Sequence, residues 1–332
     1  MRYLARHSWP PLAGKRRRLP FAFIGSRFTI HQRREIQQME LFLMMLINGI
    51  LVGGIYALVA LGWVLIYKCS GVLNLAMGEL TLIGAYVALT FYQMGIPFFL
   101  AVGCTLIIGI VLGFLTERIF LDRLIGEPIL SVIMVTVGLS FFFKGLVEFI
   151  WGTDTKVFTP PIFSIKPITL GYLKISPVYL WSFFLAILLL IIFVAFFKYT
   201  RWGLSMQATA DDETAALSLG VSARFVYAAA WGIAFMSAGV GGALLGNING
   251  INISIGYLGL LVLPAVVLGG LNSVPGAIVG GIIIGVLQNL SGTYLDQFFP
   301  GGVKVIMPFI IMVVFLLFRP YGLWGWERIE RV

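Results

Sequence analysis

The chain has few residues that could do chemistry, and those sit among apolar neighbours. Glu79 falls inside an apolar stretch directly after Gly78. A carboxylate inside a membrane is costly enough to mark a functional position. At the head of a continuing half-helix it would equally complement the positive end of the helix dipole, so both readings stand. Gln288 and Asn289 lie midway along another apolar run, where amides hydrogen-bond across helices or face a polar path. Lys144 and Glu148 are four residues apart, the spacing at which opposite charges pair on one helix face. A salt bridge near a membrane boundary is expected there. Cys69 and Cys104 fit no metal or disulfide spacing and read as buried free thiols. The two histidines, His7 and His31, lie in a basic N-terminal stretch, and no carboxylate pair or His/Cys cluster marks a catalytic or metal site. No Gly-x-x-x-x-Gly-Lys-Ser/Thr pattern is present to cradle a nucleotide phosphate. The expectation is a protein with no metal and no cofactor that is not an enzyme.

The elements that hold these residues follow from composition. Of 332 residues, 59% are hydrophobic and 11% charged, and the mean hydropathy is +0.98, which excludes a soluble globular fold. About 20 apolar residues cross a bilayer, and runs of that kind lie near 41–67, 72–92, 98–118, 129–150, 177–198, 225–246, 255–272, 275–295 and 303–318. The fold class expected is an all-α integral membrane protein with about 8–9 transmembrane helices, some of them broken. Glycine clusters, among them Gly53-Gly54, Gly109 with Gly113, Gly241-Gly242, and Gly280-Gly281 with Gly285, are expected to let helix backbones approach closely.

The net charge of +9 is not spread evenly: residues 1–38 hold nine basic residues and one acid, whereas the remainder holds 14 basic and 13 acidic. Alternating the loops puts Lys68, Arg118, Arg123, Lys198, Arg201, Arg224, Arg319, Arg328 and Arg331 on one side and Lys156, Lys166, Lys174 and Lys304 on the other. The richer side is expected to be cytoplasmic, which places the loop 199–224 and the C-terminus, with its tail 327–332, inside. Residues 1–38 then fall on the opposite face, against the rule. They read as an over-extended start, with Met39 as an alternative beginning, or as a disordered arm attracted to anionic lipid. On the first reading a chain begun at Met39 transports normally.

Sliding the chain on itself brings Asn74-Leu75-Ala76-Met77-Gly78-Glu79-Leu80-Thr81-Leu82 onto Asn252 to Leu260, with matches at Asn, Gly and two Leu, and pairs Pro97 with Pro275 and Gly103 with Gly281. An odd number of spans separates the copies. Two inverted repeats are therefore expected, about 41–150 and 219–328, with a path near the midplane where interrupted helices meet. The candidates for lining that path are Asn74, Gly78, Glu79, Asn252, Gly256, Gln288 and Asn289. In the loop 199–224, Asp211, Asp212 and Glu213 open and Gly220 closes what reads as one short helix. Its small apolar face of Ala215, Ala216 and Leu219 needs a partner, since so short a helix is marginal alone in water.

From about Met39 to Trp326 the chain resembles the permease subunits of ABC importers for branched-chain amino acids. Four stretches carry the resemblance: Gly71 to Glu79 with Gly84-Ala85-Tyr86; Arg201-Trp202-Gly203 through Gly220-Val221; Val266 to Ser273 with Pro275-Gly276; and Phe318-Arg319-Pro320-Tyr321-Gly322-Leu323. Met77 departs from the His common in the family. The resemblance implies a permease domain over 39–326 in the inner membrane and a second permease, often a different paralogue. It further implies two cytoplasmic ATPases that bind the ATP, and an extracytoplasmic binding protein. The loop 199–224 would be the ATPase-coupling segment, carried by Asp211, Asp212, Glu213, Ala215, Ala216 and Gly220. Sibling permeases for urea, short amides or sugars share this mechanism, and an ATP-independent secondary transporter or channel, with Glu79 as its coupling charge, is the alternative from another class.

Overall fold

A computed structural model describes residues 22–124, 127–164, 166–170, 173–299 and 302–325. Most of the basic stretch, His7 included, and the tail 327–332 lie outside the described residues. The chain divides into two compact units, Met1–Leu41 and Phe42–Val332. In the first, the described residues from Ala22 onward are helical, as part of α1 (Ala22–Ser70). Residues 22–38 are helical there, and the Arg, Glu and Gln content after Ile30 is of a kind that a helix tolerates well.

The second unit continues α1 and adds α2 (Met77–Gln93), α3 (Phe98–Thr116), α4 (Ile129–Trp151), α5 (Pro177–Tyr199), α6 (Arg201–Asp211), α7 (Glu213–Ser218), α8 (Ala223–Asn249), α9 (Ser254–Leu260), α10 (Leu263–Gly269), α11 (Val274–Tyr294) and α12 (Val303–Phe318). Among the described residues, six helices are long and apolar enough to cross a membrane: α1, α3 with its extension to Leu124, α4, α5, α8 and α11. α2 and α12 are shorter, at 17 and 16 residues. The expected span 255–272 is not one helix. It breaks between Leu260 and Leu263 into α9 and α10, with Pro264 in the first turn of the second. The expected span 72–92 begins as a helix only at Met77. The one sheet among the described residues is a hairpin in the 151–177 connection, β1 (Ile168–Leu170) against β2 (Leu173–Ile175), with Thr169 opposite Lys174.

The core is built where glycine replaces bulk. A Cβ at Gly109 would lie 2.8 Å from the Met236 Cα and one at Gly113 2.6 Å from the Gly232 Cα, so α3 lies directly on α8. α11 repeats this on α1, with Gly281 against Ala57 and Gly285 against Gly53. Gly103, which the sequence offset pairs with Gly281, meets nothing within 4 Å. The result is two inner helices, α1 and α8, with 94% and 83% of their apolar windows buried, and two outer ones, α4 and α5, with 22% each. The outer pair exposes large side chains such as Phe141 and Phe149 on α4 and Trp181 and Ile191 on α5, as a surface facing lipid or another apolar chain does.

The connection 151–177 is tied to the ends of α2 and α8. The Trp151 indole N–H donates to the Thr90 hydroxyl at 2.9 Å and its ring stacks on Tyr86. Lys156 and Ile251 exchange backbone hydrogen bonds of 2.8 and 2.7 Å. At the other end of the bundle, the Leu323 and Trp324 amides donate to the Leu268 and Gly269 carbonyls, bringing together two of the four stretches on which the family resemblance rests.

Candidate functional site

Two interrupted helices meet at the centre. Gly71, at φ +68°, ends α1 in a conformation glycine adopts without strain. The chain then runs without a helical ladder to Met77, although Asn74 and Ala76 are fully buried. Backbone in that position needs a substitute acceptor, and the Asn74 side-chain carbonyl supplies it, taking the Ala76 amide at 3.0 Å. The segment before α9 does the same: Gly250 stands at φ +78°, and the Asn252 carbonyl takes the Ser254 amide at 3.0 Å and also the Ser254 hydroxyl. The two helices so started lie in backbone contact, since a Cβ at Gly78 would overlap the Gly256 carbonyl and one at Gly259 would overlap the Gly78 Cα. Asn74, Gly78, Asn252 and Gly256 are thereby brought to one place. Met77 is completely buried, with its methyl packed at Gly62 beside Ser237.

Glu79 stands at this crossing, 8% exposed, with one carboxylate oxygen buried and without a hydrogen-bond partner. Gly256 faces its other oxygen, and the polar groups acting on it come from α4, Ser140 and Lys144. The Lys144 ammonium lies 5.6 Å from the centroid of the Tyr257 ring, a favourable approach of a cation to an aromatic face. Among the described residues Lys144 makes no ion pair with Glu148, contrary to the expected salt bridge. A partner from another helix, beyond the reach of an i,i+4 rule, has taken the ammonium. Sequence reasoning missed Tyr257, whose one signal was that it occupies the position aligned with Glu79.

Gln288 and Asn289 are engaged elsewhere. Gln288 is buried and accepts the Tyr56 hydroxyl, joining α11 to α1. The Asn289 amide donates to its own helix at Gly285. Their arrangement is that of packing groups. Cys69 is buried and Cys104 partly so, both as free thiols.

The loop 199–224 forms a second candidate site, and it holds two helices where one was expected. Gly203 lets α6 turn back on the end of α5, because a Cβ there would lie 2.5 Å from the Phe197 Cα, and the Gln207 amide fixes the turn by donating to the Phe197 carbonyl at 2.8 Å. Asp212 is extended, at φ −153°, and breaks the helix to cap the next one. Its carboxylate accepts the Thr214 hydroxyl at 2.7 Å and the Ala215 amide at 3.0 Å. These bonds hold the Asp212 carboxyl below the usual carboxylate range. α7 closes with the Val221 amide on the Ala216 carbonyl and the Gly220 amide on Leu217, with Gly220 at φ +86°, the paired hydrogen bonds that a left-handed glycine permits at a helix end.

The exposed face of α7 differs in part from the one expected. Ala216 is turned inward and 2% exposed, and Glu213 lines one cavity together with Tyr227 of α8. Asp211, Asp212 and Ala215 are exposed, and Leu217 and Leu219 present 51% and 82% of their surface. Nearby, Arg224 at the head of α8 pairs with Asp122 at 3.4 Å; α6 and α7 are seated on the bundle by the buried Met206 and Ala216, while the apolar edge of α7 is left uncovered.

Residues 45–316 match the family model described as branched-chain amino acid transport system / permease component. The chain belongs to this permease family. The permease is 32% identical over 314 residues to the high-affinity branched-chain amino acid transport system permease protein LivH of Salmonella typhimurium, covering 89% of this chain and 99% of that protein. LivH of Escherichia coli K12 is 31% identical over 315 residues with the same coverage. The corresponding protein BraD of Pseudomonas aeruginosa is 30% identical over 306 residues, covering 88% and 98%. Among solved structures, PsaBC from Streptococcus pneumoniae in complex with Fab aligns at a TM-score of 0.43 and 17% identity over 87% of this chain and 94% of that one, too distant for any residue to be carried across. The permease is thus a multi-pass membrane protein and a transport subunit.

The geometry at Glu79 gives a direct test of its role. Glu79→Gln keeps the side chain's shape and removes its charge. It is expected to insert and fold as the unaltered permease does while lowering transport by about tenfold or more, the equivalent of ~1.4 kcal/mol in the barrier. Undiminished transport in cells carrying Glu79→Gln would leave the carboxylate only the role of complementing the α2 dipole.

Proposed function

We propose that the permease carries branched-chain or similar small amino acids across the inner membrane as one subunit of an ATP-driven importer. It works beside a second permease, a different paralogue, with two cytoplasmic ATPases and an extracytoplasmic binding protein. Residues 39–326 form the working domain, with 199–224 and the C-terminus on the cytoplasmic side. The path runs by the crossing of α2 and α9, past Asn74, Gly78, Glu79, Asn252 and Gly256, and Lys144 and Tyr257 join it there.

The observation that carries this reading is the crossing itself. Two helices begin just after breaks in which an asparagine side chain accepts a backbone amide, and they touch through Gly78 and Gly256, within a chain similar over 88–89% of its length to branched-chain amino acid permeases. Interrupted helices in related positions are how inverted-repeat transporters build a midplane site. The matching glycine contacts of α3 on α8 and of α11 on α1 support two inverted halves. The amino-acid substrate is supported by the functions named for the relatives.

Uptake of labelled leucine tests the substrate class, in cells lacking their own branched-chain uptake and supplied with this permease and the transport genes adjoining it. Isoleucine and valine are expected to compete, and urea, acetamide and ribose to leave uptake unchanged. Competition by urea, an amide or a sugar in place of the amino acids would assign the permease to a sibling substrate class.

A further inference from the structure

A cavity lies away from the α2–α9 crossing, at the end of the bundle that carries α6. It has a volume of about 520 Å³ and is enclosed by the ends of α1 and α5, by α6, and by the start of α11. Its polar lining includes Lys68, Lys198, Gln207 and Ser273, and neither Asp nor Glu contributes to it. Among the described residues neither lysine has a carboxylate partner. Lys68 is half-buried, and Lys198 is exposed with its ammonium 5.5 Å from the Tyr199 ring centroid. The 21-residue helix α11 begins at the cavity, with Ser273 capping Gly276 at 3.1 Å, and so adds the positive end of its dipole to the two ammonium charges. The remaining wall is apolar, with Val64, Val194 and Ile278 among its residues, and Val194 opens outward on α5, one of the two outer helices.

Positive charge with no counter-charge, set at the mouth of an apolar cleft between membrane helices, suits an amphiphilic anion. We infer that this cavity binds an anionic phospholipid, its phosphate between Lys68 and Lys198 and an acyl chain along the Val194 and Ile278 wall. The lipid would join four elements that meet here, α1, α5, α6 and α11. It would thereby hold α6, the first half of the 199–224 unit, against the bundle. This site does not depend on which substrate the permease carries.

The test is native mass spectrometry of the full-length permease in detergent, titrated separately with phosphatidylglycerol and with phosphatidylcholine of identical acyl chains. Phosphatidylglycerol is expected to be retained in preference. The double variant Lys68→Gln/Lys198→Gln is expected to bind it roughly thirtyfold more weakly, and Lys68→Arg/Lys198→Arg to bind as the unaltered chain does. Thermal unfolding of each variant checks the fold, and Lys198→Gln alone, at an exposed position, is expected to give about a fivefold loss should the double variant unfold. Equal retention of the two lipids, or undiminished phosphatidylglycerol binding by Lys198→Gln and the double variant, would overturn the proposal. Displacement of phosphatidylglycerol by millimolar inorganic phosphate or glycerol phosphate would overturn it as well, by showing that the site takes a soluble phosphate and not a lipid.

Discussion

Leu219→Asp is expected to leave the permease folded in the membrane and to weaken its association with the ATPase subunits by more than tenfold, with import falling in step. Leu219 is 82% exposed at the end of α7 and contributes little to the packing of its own chain, so its loss should not disturb the bundle. Covering one leucine in an interface contributes roughly 1.5–3 kcal/mol, and an aspartate in the same place adds the cost of desolvating a charge. Together these exceed the ~1.4 kcal/mol that equals a factor of ten. Glu213→Lys is a less direct test, because Glu213 lines a cavity with Tyr227 of α8 and reversing its charge would disturb the seat of α7 as well as alter its surface. Co-purification of the ATPase with the tagged permease reads the result. Full retention of the ATPase by a folded Leu219→Asp permease would remove α7 from the coupling contact.

Gly242→Leu is expected to abolish the folded permease. A Cβ at Gly242 would overlap the Thr81 carbonyl of α2, and Gly84 meets Gly239 across the same contact just as closely. The atoms in the way are backbone, so no side-chain rotation makes room, and the cost should exceed the ~1–3 kcal/mol typical of an overpacked core. Since α2 carries Glu79 and the crossing with α9, separating α2 from α8 disperses the site as well. Gly103→Ala is the control: it sits in α3 with nothing within 4 Å of its Cβ position, and it should match or slightly exceed the original stability, since alanine favours a helix over glycine by ~1 kcal/mol. The yield and melting temperature of monodisperse protein in detergent measure both. A Gly242→Leu permease that melts with the unaltered protein would contradict the packing of α2 on α8.

The membrane helices were legible because each is a continuous apolar run closed by turn or charge chemistry. The expected spans at 98–118, 129–150, 177–198, 225–246 and 303–318 correspond closely to α3, α4, α5, α8 and α12. Hydropathy failed where the backbone changes course inside apolar sequence. Val72 to Ala76 is apolar enough to extend a helix, but a turn in which the Asn74 side chain accepts the Ala76 amide makes α2 start late. The stretch 255–272 is apolar throughout, and Pro264, which marks the restart as α10, was the only signal of the break.

The candidate sites were legible to the extent that chemistry is local. Asn74 with Gly78 and Asn252 with Gly256 could be read from the matched segments, because a break in a membrane helix needs a side-chain acceptor and a small residue close by. The division of 199–224 into two helices was not read, although Asp212 is of the type that caps, since three consecutive acids suit one helix start equally well. Lys144 was misassigned for a different reason. Its partner is set by how α4 lies against α9, and no spacing within α4 reports that. The offset that pairs Gly103 with Gly281 says nothing of helix contact: Gly281 meets Ala57, whereas Gly103 meets nothing within 4 Å.

Leucine uptake into proteoliposomes holding this permease with its companion permease, the two ATPases and the binding protein measures the central claim most directly. The account predicts accumulation that requires enclosed ATP and the binding protein, and that is lost with Leu219→Asp while the permease stays in the membrane. Accumulation by this permease alone, driven by an ion gradient and indifferent to ATP, would contradict it.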